Sequence, residues 1–316
     1  MHRAGYRAGP MAVSARPGRL RRFLSITFDQ PLGTRISADG VNGYYLDMRV
    51  KASSPRWPSA DLLPLGKEMH VGVAQWGLGA YEHWLETGRE EWLEAARSVC
   101  SYLLETQTRS GPLAGGWRQE FPFWHTFELD AGWLSGMAQG EGASLLVRVH
   151  SETGEDALAE AALAAMQPLR IPTADGGVQI EVEDGPFFEE YPTAQPSMVL
   201  NGAIFALWGV RDVAIGLGDA TSAALFEDGL GALARSVDRW DLGYWSRYDL
   251  YPHRQVNIAS NAYHQLHIDQ LAALNAVAPR PELAAAEARF RGYYASRLKR
   301  ARAFARKVAF RLVVRR

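Results

Sequence analysis

Apolar side chains recur at helical spacing through most of the chain after residue 65. The first such segment, for example, places Val71, Ala74, Leu78, Tyr81 and Leu85 on one helix face and stops at a glycine. Short polar breaks group the predicted helices into antiparallel pairs. The four pairs are 68–87 with 90–107, 132–151 with 155–166, 197–217 with 221–240, and 260–278 with 282–294.

Two stretches show a β pattern instead. Residues 23–51 are rich in aromatic and β-branched side chains divided by glycines, which predicts a small β element, and the proline-rich segment 52–64 predicts a loop. The run VQIEV at 178–182 alternates strictly after two glycines and predicts a β-hairpin. Residues 121–127 are expected to be extended.

Strands do not alternate with helices in this pattern, which argues against Rossmann and TIM-barrel folds. Paired antiparallel helices of this length favour a mainly α fold, an α/α toroid with a small N-terminal β element and an inserted β-hairpin. The expected organisation is a basic disordered tail, a β element with its loop, one helical domain and a basic amphipathic tail, at 1–22, 23–64, 65–296 and 297–316.

The charge is uneven although the formal net charge is only −1. Six arginines lie in 1–22 and nine Lys or Arg in 297–316, with no acidic residue in either segment, so the region between them carries a net −16. A folded body this acidic argues against nucleic-acid binding. The basic ends suit either contact with an anionic membrane surface or a solvated tail. In 297–316 a predicted apolar helix face has basic residues around it and comprises Leu298, Ala301, Ala305, Val308 and Leu312.

The sequence has no run of 18 apolar residues, so no membrane span is expected. The N-terminus lacks the apolar region of a secretory signal. The expectation is a cytoplasmic protein, with peripheral membrane contact through its basic termini as an option. The single cysteine, Cys100, excludes an internal disulfide and a cysteine-built metal site. Nucleotide-binding and nucleophile-elbow motifs are absent, so no cofactor is expected.

Candidate chemistry concentrates in 245–271, where Tyr263, His264 and His267 share one side of a predicted helix. They are either buried polar residues with satisfying hydrogen bonds or part of a site. A metal site is disfavoured because no third ligand accompanies the two histidines, although His125 and His253 lie on predicted loops.

A second candidate stretch, 187–202, places Glu189, Glu190 and Tyr191 before Pro192, and Ser197 is expected to cap the next helix. A carboxylate pair for glycoside hydrolysis, Glu189 or Glu190 with Asp249 or Asp269, has no support from spacing.

Three runs together resemble the C-terminal catalytic region of the D-glucuronyl C5-epimerases, which convert glucuronate to iduronate within heparan-type chains. They are GWLSGMAQGEGASLLVRVH at 132–150, EEYPTAQPSMVLNGAIFALWGVRDV at 189–213 and RYDLYPHRQVNIASNAYHQLHIDQL at 247–271. The resemblance implies that catalytic tyrosines fall on Tyr191, Tyr248 and Tyr263. Animal members have an arginine where this chain has Tyr251. The expected substrate-binding residues are Glu190, Asn201, Arg247, Arg254, His264 and His267, with either arginine as a source of the missing charge.

Epimerisation removes the C5 proton, which lies α to the sugar carboxylate, and returns one from the opposite face. Tyrosine can act as base and acid if cations lower its pKa, and His264, His267 and Arg254 are the expected cations. The expected partner is a glucuronate-containing polysaccharide or lipid-linked glycan, and a homodimer is an option. Two other interpretations stay open: a uronate polysaccharide lyase, and a non-catalytic glycan-binding module.

Overall fold

The computed structural model describes residues 30–56, 69–124 and 126–314. In this part of the chain the eight predicted helices are present, and a ninth lies in the basic C-terminal segment. Their order is α1 His70–Thr87, α2 Glu90–Thr106, α3 Gly136–Thr153, α4 Asp156–Ala164, α5 Leu200–Gly216, α6 Ala220–Ser236, α7 Asn261–Val277, α8 Pro281–Ala295 and α9 Arg297–Val314.

Local capping explains where several helices begin and end. Gly88 and Gly154 adopt positive φ after α1 and α3, a conformation that favours glycine at helix ends. Helix α3 begins four residues later than predicted because the side chain of Ser135 accepts a hydrogen bond from the backbone N–H of Ala138. Helix α7 begins where predicted because Ser260 caps it through the N–H of Tyr263.

The helix pairs form two layers. Helices α1, α3, α5 and α7 contact one another in that order, and each packs against the helix that follows it in the chain. Helices α3 and α5 approach so closely that a side chain on Gly209 would overlap the backbone of Gly140. Nearly every residue of these two helices is buried, whereas α2 and α6 keep an exposed polar face. This arrangement of paired inner and outer helices is that of an α/α toroid.

Two short antiparallel hairpins interrupt the helices. Strand β1, Phe123–Trp124, pairs with β2, Glu128–Leu129, and β3, Gln179–Glu181, pairs with β4, Pro186–Phe188. The second hairpin is the one predicted from VQIEV. Both hairpins lead into segments that carry site residues, so they set the direction in which the chain enters the site.

The predicted N-terminal β element is wrong for the described part of 23–51, where a single bridge joins Leu32 to Leu46. The aromatic residues that suggested a strand are core residues. Tyr45 stacks on Trp208 with ring centroids 4.5 Å apart, and its hydroxyl donates to Asp212. Burial, rather than strand pairing, accounts for the apolar character of this segment. Residues 1–29 and 57–68 lie outside the described part of the chain.

Helix α9 packs on α7 and α8 through a face that the sequence did not predict. Ala303 and Phe310 are buried there, whereas two members of the predicted apolar stripe, Leu298 and Leu312, are 85% and 68% exposed. The stripe therefore faces outward. Within the described ranges, none of the helices combines the length and apolar character needed to cross a membrane.

Candidate active site

A pocket of about 210 Å³ opens between the first β-hairpin, the loops before α5 and α7, and helix α9. Three tyrosines that are far apart in the sequence meet in it. Its lining combines aromatic, polar and cationic side chains: Phe123, Thr126, Phe127, Tyr191, Tyr248, Asn257, Tyr263, Lys307, Phe310, Arg311 and Val314.

Tyr191 is held by aromatic rings of the first hairpin. Its ring stacks on Phe123 at a centroid distance of 5.0 Å and on Phe127 at 4.9 Å. Trp133, just before α3, approaches the same ring at 5.8 Å. These contacts hold the ring and leave its hydroxyl, the only polar part of the side chain, for the pocket.

Tyr248 and Tyr263 come from a loop and from the first turn of α7. The Tyr248 N–H donates to the carbonyl of Asn257 at 2.8 Å, which fixes the loop beside the helix. The two tyrosine rings meet edge to face with centroids 4.8 Å apart. Tyr248 is hydrogen-bonded to both Tyr191 and Tyr263, so the three hydroxyl groups form one chain.

The pKa of each of these tyrosines is raised. Burial is the main cause in all three, and the nearby Glu190 charge adds to it. The expectation that cations lower the tyrosine pKa values is therefore wrong. Arg311 lowers the pKa of Tyr263, but this effect does not outweigh burial.

Glu190 joins the tyrosine chain at one end. The hydroxyl of Tyr191 donates to its carboxylate, and the amide of Asn201 donates to the same group at 3.4 Å. Any side chain on Gly202 would overlap that of Glu190, so this glycine leaves it room against α5. Burial raises the pKa of Glu190 to about 7, which makes the carboxyl group a proton acceptor and donor near neutrality.

Glu189 points the other way. Its carboxylate accepts hydrogen bonds from the hydroxyl and N–H of Ser197 and from the N–H of Met198. Ser197 is therefore not the helix cap that the sequence predicted, and α5 begins at Leu200. Met198 has a φ of 47°, a strained conformation for this residue type, which these hydrogen bonds help to hold.

His264 and His267 lie behind the pocket, not in it. Nδ1 of each ring is hydrogen-bonded to the hydroxyl of Ser246. Nε2 of His264 donates a hydrogen bond to the carbonyl of Phe290. Trp245 stacks on His264 at 3.8 Å. Burial lowers the pKa of His264 to about 4 and that of His267 well below its usual value, so both rings are neutral at pH 7. They fit the buried-polar interpretation, and the structure corrects the expectation that they bring positive charge to the tyrosines.

The arginines predicted to bind substrate are also outside the pocket lining. The Nε of Arg247 donates to the carbonyl of Asp249, and Arg254 is exposed on the loop before α7. Tyr251, where animal relatives have an arginine, packs its ring against Phe127. Neither arginine is placed to supply the charge expected of it.

Asp249 and Asp269, the predicted partners for a carboxylate pair, serve other contacts. Asp249 is buried and accepts from Asn257 and His253, and Asp269 accepts from Gln265 on α7. Among the described residues, no three His, Cys, Asp or Glu side chains gather as a metal-ligand set would. His125 lies outside the described residues.

Sequence reasoning missed the cationic wall of the pocket, Lys307 and Arg311 on α9. The signal was available, because Ala303, Lys307, Phe310 and Val314 recur at spacings of four, three and four residues. The more hydrophobic stripe on the opposite face concealed it. Lysine stems can cover apolar surface while the ammonium group reaches a polar site, so a lysine on a packing face is compatible with helix docking.

Comparison with known proteins identifies the family of the chain. Residues 111–292 match the family model of the D-glucuronyl C5-epimerase C-terminus. That match extends over more than half of the chain, and the chain belongs to the D-glucuronyl C5-epimerase family. The resemblance seen in the sequence is thereby confirmed, and the three tyrosines and Glu190 lie inside the matched region.

Individual relatives are more distant. A D-glucuronyl C5-epimerase of Caenorhabditis elegans is 33% identical over 158 residues, which are 44% of this chain and 25% of the relative. An uncharacterized protein of Methanocaldococcus jannaschii is 28% identical over 155 residues, 48% of this chain and 49% of the relative. The chain thus matches a quarter of the first protein and about half of the second.

Among solved structures, the unsaturated glucuronyl hydrolase of Bacillus sp. GL1 superposes with a TM-score of 0.46 at 15% identity. The superposition covers 74% of this chain and 61% of the hydrolase.

Proposed function

We propose that this protein is a C5-epimerase of glucuronyl residues in a polysaccharide or lipid-linked glycan. The observation that carries the proposal is the hydrogen-bonded chain of Tyr191, Tyr248 and Tyr263 hydroxyl groups in one pocket, with Glu190 at its end. Epimerisation needs two proton-transfer groups on opposite faces of one sugar ring. Three tyrosines from separate segments can surround a ring in this way.

The raised tyrosine pKa values restrict how the proton leaves C5. A free tyrosinate is unfavourable in the buried pocket, so Tyr191 needs an acceptor for its own proton. The Glu190 carboxylate is that acceptor: Tyr191 takes the C5 proton while its hydroxyl proton passes to Glu190. Tyr263 then donates its hydroxyl proton to the opposite face of C5, and this reprotonation gives the iduronate product.

Tyr248 restores the starting state. Glu190 gains a proton in the first step and Tyr263 gives one up in the second, so Tyr263 must be reprotonated as it donates if no free tyrosinate is to form. The hydroxyl of Tyr248 is bonded to both Tyr191 and Tyr263, so a proton can move from Glu190 along the chain to Tyr263. No electron is gained or lost in this cycle.

The first test is hydrogen exchange at C5. Proton NMR in deuterated water with a heparosan oligosaccharide should show loss of the C5 proton signal and the appearance of iduronate signals. Tyr263→Phe should abolish the exchange, because the phenylalanine keeps the ring and removes the hydroxyl. Tyr294→Phe is the matched control, since Tyr294 packs against Trp245 outside the pocket and its variant should keep wild-type exchange.

The same experiment separates the other interpretations. A uronate lyase would also remove the C5 proton but would then expel the C4 substituent, and the unsaturated product would absorb in the ultraviolet. A glycan-binding module would bind the oligosaccharide without exchange. Full exchange by Tyr263→Phe would contradict the assignment of this tyrosine.

A further inference from the structure

Helix α9 contributes to the lining of the pocket, and two of its lining residues, Lys307 and Arg311, are basic. Lys307, Phe310, Arg311 and Val314 line the cavity from successive turns. The helix, Arg297–Val314, lies after residues 111–292, the region that matches the family model. The wall is therefore a feature of this chain that the family match does not assign.

Lys307 is positioned by a relay of hydrogen bonds. Its Nζ donates to Oδ1 of Asn257 at 2.6 Å, and Nδ2 of Asn257 donates to Oδ2 of Asp249 at 2.5 Å. The ammonium group also lies 5.3 Å from the ring centroid of Tyr248. These contacts hold the charge beside the tyrosines instead of letting the lysine extend into solvent.

The charges around Lys307 leave the pocket suited to an anion. Two charged groups influence the ammonium group: Arg311 on the same helix, which opposes its charge, and Asp249 on the facing loop, which favours it. Asp249 is already bonded by Asn257 and His253. Burial and Arg311 together lower the pKa of Lys307 to about 7, and an anionic ligand in the pocket would raise it again.

We propose that Lys307 and Arg311 form the subsite that binds the carboxylate of the uronate whose C5 reacts. This inference rests on the proposed function, because it places the sugar carboxylate opposite the tyrosine chain. Removal of the C5 proton pushes negative charge into that carboxylate. Two basic side chains held on one helix would stabilise the charge as it develops.

A different role for α9 would be to obstruct the pocket. In that case Lys307 and Arg311 would act only as packing residues, and replacing them would loosen the packing of α9 and raise activity. The binding proposal requires the opposite, a loss of affinity that depends on the substrate carboxylate.

The test compares a heparosan tetrasaccharide with its carboxyl-reduced form, in which each uronate carboxylate is a hydroxymethyl group. Binding to the 316-residue chain is measured by titration calorimetry for wild type, Lys307→Met, Arg311→Gln and Lys307→Arg. Arg306→Gln is the matched control, because Arg306 is an exposed residue of the same helix.

Wild-type protein should prefer the carboxylate form, and Lys307→Met and Arg311→Gln should each weaken its binding by roughly tenfold or more. Binding of the reduced form should change little in these variants. Lys307→Arg should retain the preference at pH 8, where Lys307 of the wild-type protein has lost much of its charge before the ligand binds, and Arg306→Gln should behave as wild type. Equal loss for both ligands, or unchanged binding of the carboxylate form, would overturn the proposal.

Failure of the carboxylate subsite can be distinguished from failure of the proposed epimerase function. If wild-type protein shows no C5 exchange and yet Lys307→Met and Arg311→Gln both lose the carboxylate preference, the anion-binding subsite stands and the epimerase assignment fails. If exchange occurs and the variants bind the tetrasaccharide as tightly as wild type, the epimerase assignment stands and the subsite fails.

Discussion

Glu190 and Tyr191 are adjacent in sequence, and the hydroxyl of Tyr191 donates a hydrogen bond to the carboxylate of Glu190. Adjacent residues in an extended strand point to opposite sides, so a bond between their side chains requires a local bend. The bend occurs where the chain leaves β4 and approaches Pro192. It couples a tyrosine of the pocket to a buried carboxyl group whose pKa is about 7.

Replacing Glu190 by glutamine should preserve the shape of this pair and remove its ability to accept a proton. We expect the C5 exchange rate of Glu190→Gln to fall by about 10²–10⁴-fold, the usual contribution of a positioned general base. Exchange is followed by NMR in deuterated water, with circular dichroism to verify folding. Exchange at the wild-type rate would show that Tyr191 does not use Glu190 as its acceptor.

Glu189 provides a matched comparison because it is also buried and also has a pKa raised to about 7 by burial. Its carboxylate accepts from Ser197 and Met198, so Glu189→Gln would direct an amide NH₂ at N–H donors. We expect a loss of about 1–3 kcal/mol of unfolding free energy, measured by urea denaturation. The exchange rate of the folded protein should stay near that of wild type. A catalytic defect as large as that of Glu190→Gln would contradict the separate roles of the two carboxylates.

The helices and the tyrosines could be predicted from sequence because each depends on local pattern or on specific motifs. Helical spacing found all eight paired helices, and the motif resemblance selected Tyr191, Tyr248 and Tyr263 before their pocket was known. Both signals are readable along a linear chain.

The predictions that were wrong concern side chains whose contacts come from other parts of the fold. His264 and His267 share a helix turn with Tyr263 but turn toward Ser246, which no spacing rule reveals. Tyr45 has strand-like neighbours but packs on Trp208. On α9, hydrophobicity selected the outward face, because the packing face carries a lysine and an arginine that reach the pocket.

The pH dependence of kcat/KM should be bell-shaped with a maximum near neutrality. Glu190 must be ionised to accept a proton, so the rate rises as pH increases through its pKa of about 7. Lys307 must be protonated to bind the carboxylate, so the rate falls as pH increases through its pKa of about 7. Glu189 and Tyr191 face the first group, and Arg311 and Asp249 face the second.

Lys307→Arg should remove the alkaline fall of this profile, because arginine stays charged, and should leave the acidic limb in place. Initial rates of C5 exchange between pH 5 and pH 9 measure both limbs. A wild-type profile without an alkaline fall, or an alkaline fall unchanged in Lys307→Arg, would show that Lys307 does not control it.

Stability should depend strongly on one buried ion pair that lies away from the site. Nη1 of Arg148 contacts Oδ2 of Asp212 at 2.5 Å, and both side chains are buried. Arg148→Met would leave Asp212 charged and without its main partner, so we expect a loss of about 3–5 kcal/mol of unfolding free energy. Arg97→Met is the control, since the ion pairs of Arg97 with Glu94 and Glu155 are exposed and screened by solvent, so their loss should change the unfolding free energy far less. Urea denaturation measures both, and similar losses would contradict the prediction.

The outward face of α9 leads to the last prediction, contact with an anionic membrane surface. Leu298 and Leu312 are exposed on a helix with many arginines, a combination that suits a peripheral lipid surface. Membrane contact, cytoplasmic localisation and a homodimer all stay predictions.

We expect the protein to sediment with phosphatidylserine-containing vesicles, less so at raised salt, and weakly with neutral phosphatidylcholine vesicles. The double variant Leu298→Gln and Leu312→Gln should lose most of this binding, whereas Leu163→Gln, on the exposed side of α4, should retain it. Equal sedimentation of all three proteins would show that this face does not dock on lipid. Because the opposite face of α9 carries Lys307 and Arg311, docking would also hold the cationic wall of the pocket at the membrane, where a lipid-linked glycan would be presented to it.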